Sequence, residues 1–243
     1  MMNIVVPMAG AGSRFANVGY NDPKPFIDVA GQPMIERVME NLSCPDSRFI
    51  MIARREHLIG REAVVERLEK RFNAHFVLID GLTEGMACTV LKAEAFINND
   101  DGLLLANSDQ LVDIKISDFV QNARERELDG SIMTFEDSHR DPKWSFAEID
   151  SHGFVVRTKE KEAISPYATV GIYYFSKGSS FVQSANEMVA ANDRTNKEFY
   201  TCPTYNYAIR NGKRIGIYTI DQEKMHGLGI PEDLTAYLTR FHS

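Results

Sequence analysis

"NIVVPMAGAGSRFANVGYNDPKPF" (Asn3–Phe26) sets a short apolar run against a loop with two glycines, and a Pro-Lys-Pro follows downstream. Ile4, Val5 and Val6 suit a buried strand, and the run is too short for a helix. A strand that empties into a glycine loop is how a parallel α/β sheet opens. Ligands in such sheets sit at the carboxyl ends of the strands.

The rest of the chain repeats this alternation. "PMIERVMENL" has Met34, Ile35, Val38 and Leu42 at helical spacing, with Pro33 in the first turn. "RFIMIARR" (48–55) reads as a strand, "GREAVVERLEKRF" as a helix and "HFVLID" (75–80) as a third strand. "GMACTVLKAEAFI" reads as one further helix, and "GLLLANSDQ" (102–110) as a fourth strand with Asp109 at its carboxyl end. Strand and helix in turn predict a parallel sheet covered on both faces. "GSIMTFED", "WSFAEID", "GFVVRTKEK" and "ATVGIYYF" then predict an antiparallel extension. A helix over "SSFVQSANEMVAAN", a short one over "CPTYNYAIRNG", a strand over "RIGIYTI" and a helix over "PEDLTAYLTRF" complete the chain.

The opening loop is neither of two familiar phosphate loops. A dinucleotide fingerprint needs a third glycine where Phe15 stands, and an ATPase loop cannot have Lys24 after Pro23. Gly10, Gly12, Ser13, Arg14, Pro23 and Lys24 remain. Glycines let backbone N–H groups approach an anion, Ser13 adds a hydroxyl, and Arg14 adds a forked cation. Lys24 adds a compact charge on a loop stiffened by Pro23 and Pro25. A plain turn with two solvated cations is the alternative reading of the same residues.

These residues resemble the start of the sugar-phosphate nucleotidyltransferase family: a G-x-G-[ST]-R stretch, then P-K, then Gly31, Pro33 and Met34. The resemblance continues through "TEGMACTVLKA", through "LLLANSDQ", through Glu160–Lys161 before a Gly171-Ile172-Tyr173 strand, and through "GLGIPEDL", where Ile230 replaces the usual threonine. It implies a Rossmann-like three-layer sandwich of the nucleotide-diphospho-sugar transferase type, with a mostly parallel central sheet and an antiparallel extension. Residues 1–243 form one domain in this reading, with about 1–115 as the nucleotide half and about 116–243 as the acceptor half. A less characterised, capsule or surface-polysaccharide branch is the expected placement.

The implied reaction joins a nucleoside triphosphate to a sugar phosphate or another phosphorylated metabolite and releases pyrophosphate. Such transfer asks the protein for alignment and charge neutralisation. Arg14 would neutralise the leaving pyrophosphate, and Lys24 the α-phosphate. Asp109 would hold Mg²⁺, and Lys161 the attacking phosphate, with Lys159 a competitor for that role. Met8, Ala9, Gly10, Gly12 and Ser13 would contact the nucleotide. Glu84 and Gly85 stand where the family reads the base, and the Glu84 carboxylate, which only accepts hydrogen bonds, slightly favours a pyrimidine. Gly171, Tyr200 and Asn206, with Tyr205, fall in the acceptor lobe. Where many family members carry a second metal-binding aspartate, this chain has Gly227, so either Asp109 is the one protein carboxylate on the metal or His226 or Asp221 substitutes.

Composition narrows the classes. Length and 44% hydrophobic content suit one α/β domain. A net charge of −7 argues against nucleic-acid binding. No apolar stretch approaches the ~20 residues of a membrane span, and no basic leader opens the chain, so the expected location is cytoplasmic. Three scattered cysteines, Cys44, Cys88 and Cys202, read as reduced thiols. A homo-oligomer stays open. A glycosyltransferase of the related fold and a non-catalytic nucleotide sensor are the competing readings. The Arg14–Lys24 pair favours handling of a triphosphate over the first, and intact Asp109 argues against the second.

Overall fold

Ile4, Val5 and Val6 are completely buried in the strand Met2–Pro7 of the computed structural model, which describes residues 1–241. This strand lies inside the sheet. It pairs in parallel with Ser47–Arg54 on one side and Gly102–Ala106 on the other. Ala74–Ile79 adds a fourth parallel strand beside Ser47–Arg54. The β-branched and aliphatic runs of these strands suit a sheet buried on both faces.

Side-chain alternation divides the core in two. Ile4 and Val6 face the helix Met34–Leu42, which buries Met34, Ile35, Val38, Met39 and Leu42. Val5, Ile50, Ile52, Leu103 and Leu105 face the opposite layer, formed largely by Gly178–Ala190 and Thr204–Arg210. The result is the three-layer α/β sandwich expected from the sequence.

Tyr167–Phe175 joins the two kinds of pairing. Its end, Ile172–Phe175, runs antiparallel to Ala106–Leu103, while Ala168 pairs with Phe146 of the strand Ser145–Ile149. Val155–Glu160 continues that antiparallel group. The strand changes partners at an irregularity between Thr169 and Tyr173, and Gly171 sits there with φ +88°. Its missing side chain is required, because a Cβ would lie 2.2 Å from Asn107 Nδ2.

One local expectation needs correction. The helix expected over residues 85–97 is two short ones, Met86–Leu91 and Glu94–Ile97, with a break at Lys92–Ala93. The strand expected over "RIGIYTI" is present as Ile215–Ile220, paired in parallel with Gly130–Glu136. Among the described residues no helix is long and apolar enough to cross a membrane.

Candidate active site

Two adjoining cavities open at the carboxyl ends of the parallel strands. The first has the Met8–Gly12 backbone, Ser13 and Lys24 on one side and Leu82, Thr83, Gly85 and Met86 on the other. The second is walled by Trp144, Lys161, Met225 and Tyr237. Arg14, Asn107, Asp109 and Gly229 line both. The two cavities therefore share a wall that includes Asp109.

The two halves of the opening motif close on each other. Gly12 has φ +64°, and a Cβ on it would lie 3.3 Å from Lys24 Cβ. The Met8 N–H is held by Ile52 O at 2.8 Å, so the sheet ends there and the glycine loop begins. Pro25 and Phe26 are buried behind Lys24 and anchor its short 3₁₀ turn. The Lys24 ammonium forms a direct ion pair with the Asp109 carboxylate at the junction of the cavities. Arg14 is exposed and reaches the same junction.

The second cavity is built by backbone positioning. Lys161 has φ +57°, and its N–H donates to Trp144 O at 3.0 Å. Its Nζ donates to the Tyr200 hydroxyl at 2.9 Å, and this bond raises the Lys161 pKa. Lys159 instead lies 3.8 Å from Glu162 and is absent from the cavity, so of the two lysines Lys161 is the one that lines it. Trp144 and Lys143 stand on the loop after Gly130–Glu136. The buried Asp137 carboxylate accepts the N–H groups of His139 at 3.0 Å and Asp141 at 2.7 Å, which folds that loop.

Some expected site residues do other work. Glu84 is absent from the first cavity and pairs with Arg194 outside it, which removes the stated ground for a pyrimidine preference. The Asn206 amide is taken by the Thr158 backbone, accepting its N–H at 2.8 Å and donating to its carbonyl at 3.0 Å. Tyr205 is fully buried, with its hydroxyl donating to Tyr174 O at 2.9 Å. Gly171 lines neither cavity and acts through Asn107, whose N–H donates to Gly171 O at 3.1 Å. Sequence reasoning passed over Asn107, Thr83 and Trp144. Asn107 had a signal: it is a polar residue at the carboxyl end of a buried strand, two before Asp109.

A hard divalent cation prefers oxygen ligands, commonly one or two carboxylates with phosphates and water. Asp109 fits that chemistry. Gly229 clears its open side, since a Cβ there would lie 2.9 Å from Asp109 Oδ2. The suggested second ligands do not fit. His226 Nε2 lies 2.7 Å from Asp113 Oδ2, and its Nδ1 lies 2.9 Å from Arg240 Nη1. Asp221 pairs with Lys224 at 3.1 Å, away from both cavities. Among the described residues no three His, Cys, Asp or Glu side chains converge as a metal cage. Burial raises the pKa of Cys44, Cys88 and Cys202, so the thiols stay protonated.

The geometry has close parallels in known proteins. The chain is 23% identical over 239 residues to the UTP–glucose-1-phosphate uridylyltransferase AglF of Haloferax volcanii, covering 96% of this chain and 93% of that one. The solved nucleoside-diphosphate-sugar pyrophosphorylase of Vibrio cholerae superposes with a TM-score of 0.81 at 24% identity, over 97% of this chain and 99% of that one. A UDP-glucose pyrophosphorylase solved with UDP-glucose superposes with a TM-score of 0.78 at 18% identity, over 100% and 98%. The sequence pattern of the family described as nucleotidyl transferase matches residues 4–217. With its glycine loop, Lys24 and Asp109 inside that match, the chain belongs to the nucleotidyl transferase family and is a nucleotidyltransferase.

Proposed function

We propose that the chain transfers a nucleotidyl group from a nucleoside triphosphate to a phosphorylated small metabolite, such as a sugar phosphate, in a Mg²⁺-dependent reaction. The observation that carries this reading is the position of Lys24, Asp109 and Arg14 where the two cavities meet. One cavity suits the triphosphate and the other the acceptor, and the α-phosphate would lie between them.

The acceptor's phosphate oxygen attacks the α-phosphorus, the bond from that phosphorus to the β-bridging oxygen breaks, and pyrophosphate leaves. The nucleophile is already ionised, so no general base is needed. The peptide groups of the glycine loop and Ser13 orient the triphosphate. Lys24 stabilises charge growing at the α-phosphate, and Arg14 meets the departing pyrophosphate. Lys161 aligns the attacking phosphate, with Tyr200 fixing its ammonium. Asp109 would hold Mg²⁺, which when bound supplies charge neutralisation to the phosphates. The product would be an activated precursor of the kind used to build surface polysaccharide.

The test is pyrophosphate release across CTP, UTP, dTTP, ATP and GTP with a panel of phosphorylated metabolites, with and without Mg²⁺. Release that needs one triphosphate, one acceptor and the metal supports the reading. Hydrolysis of a nucleotide sugar without any such release would replace it with the glycosyltransferase reading.

A further inference from the structure

We propose that the Thr83 hydroxyl, and not Glu84, reads the nucleobase. The assignment rests on the nucleotidyl-transfer reading of the first cavity.

The segment before the helix Met86–Leu91 is locked in place. Phe199 N–H donates to Glu84 O at 2.8 Å, and Ala87 N–H donates to Phe199 O at 2.9 Å. Gly85 lies between these bonds at φ +122°, and a Cβ on it would sit 2.5 Å from the Phe199 backbone. Glu84 turns out to Arg194, whose guanidinium also stacks 4.0 Å from the Phe199 ring centroid. Thr83 turns into the cavity.

Its hydrogen bonds decide what it offers there. Thr83 Oγ1 donates to Gly85 O at 3.0 Å and contacts Thr89 Oγ1 at 2.5 Å, while Thr89 Oγ1 donates to the same carbonyl at 3.1 Å. Two hydroxyl protons serve these three contacts. A threonine oxygen carries two acceptor lone pairs, so in either arrangement Thr83 keeps at least one for the cavity, where it accepts from a base edge that presents an N–H. Leu82 supplies a flat apolar surface beside it: it is 65% exposed and lines the same cavity. A ring lying on Leu82 and Met86 would bring its edge to Thr83, across from the Met8–Gly10 backbone.

The experiment measures binding of CTP, UTP, dTTP, ATP and GTP by calorimetry, with Mg²⁺, to wild type, Thr83→Val, Thr83→Ser and Glu84→Ala. Wild type is expected to prefer its best triphosphate over its worst by at least about tenfold, the scale of one hydrogen bond gained or left unmade. Thr83→Val should compress that ratio to within about threefold, while Thr83→Ser and Glu84→Ala keep it. A structural role for Thr83 would lower all five affinities together and leave the ratio intact. A preference that survives Thr83→Val, or a flat wild type, overturns the assignment alone. If none of the five triphosphates binds wild type, both the assignment and the nucleotide reading fall.

Discussion

The Lys24 ammonium and the Asp109 carboxylate form a direct ion pair although 85 positions separate them in the chain. Lys24 arrives on the turn after the first glycine loop, and Asp109 on the turn after the strand Gly102–Ala106. The sheet brings the two turns to one edge. The pair keeps both charges partnered.

Lys24→Ala should lower turnover on the order of a hundredfold, because removing one charge aimed at the transition state costs about 3 kcal/mol. The folded state should persist, since Asp109 keeps contact with solvent. Wild-type turnover in a mutant of unchanged melting temperature would remove Lys24 from the mechanism.

Asp109→Asn keeps the shape of the turn and loses the charge a hard cation needs. Activity and its dependence on Mg²⁺ concentration should weaken together. A metal titration superimposable on that of wild type would make Asp109 a turn residue and nothing more.

The sandwich was legible because hydrophobic period and length distinguish buried strands from amphipathic helices, as for Ile4–Val6 and Met34–Leu42. Arg14 and Lys24 could be singled out because each stands in a short local motif, and Asp109 because it follows a buried strand, and the fold brings the three to one place. Direction and pairing of side chains were not. Glu84 and Thr83 are neighbours, and only the staple to Phe199 decides which one faces the cavity. Asn206 looked like a ligand reader because its polar tip was visible, while its partner Thr158 lies 48 positions away. The break at Lys92–Ala93 and the parallel pairing of Ile215–Ile220 were also set by packing between distant segments.

Gly85→Ala should destabilise the fold by roughly 2–4 kcal/mol, combining a positive φ with a Cβ driven into the Phe199 backbone. Nucleotide affinity should fall with it, because the same staple positions Thr83. Thermal unfolding with and without the preferred triphosphate measures both effects. An unshifted midpoint would show that the loop relaxes freely around the new methyl group.

His57 gives the fold a specific acid sensitivity. Burial, and then the Arg54 guanidinium, hold its pKa below the usual histidine value. The unfolded chain protonates first, near pH 6.5, while the folded chain stays neutral to lower pH. Its stabilising contribution is therefore complete above about pH 6.5 and declines as the pH drops toward the folded pKa. His57→Gln should flatten the fall in urea midpoint between about pH 7 and 5, where the wild-type slope from one such group is at most about 1.4 kcal/mol per pH unit. Parallel profiles for the two proteins would assign the acid sensitivity elsewhere.

Lys161 and Asn206 should separate cleanly, one as a ligand contact and the other as a structural one. Lys161 lies at the second cavity with its ammonium held by Tyr200, so Lys161→Met should remove a charge-assisted bond worth about 1.5–3 kcal/mol. That predicts a loss of roughly ten- to hundredfold in kcat/KM for the acceptor found by pyrophosphate release, with little change in melting temperature. Asn206→Ala leaves the Thr158 N–H and carbonyl without their partner. Orphaning buried backbone groups costs about 1–3 kcal/mol, so its melting temperature should fall while the KM for the acceptor changes little at temperatures where it is folded. If Asn206→Ala instead raised that KM selectively with no loss of stability, its amide would belong to the acceptor after all, and the Thr158 contact would be one that substrate binding exchanges.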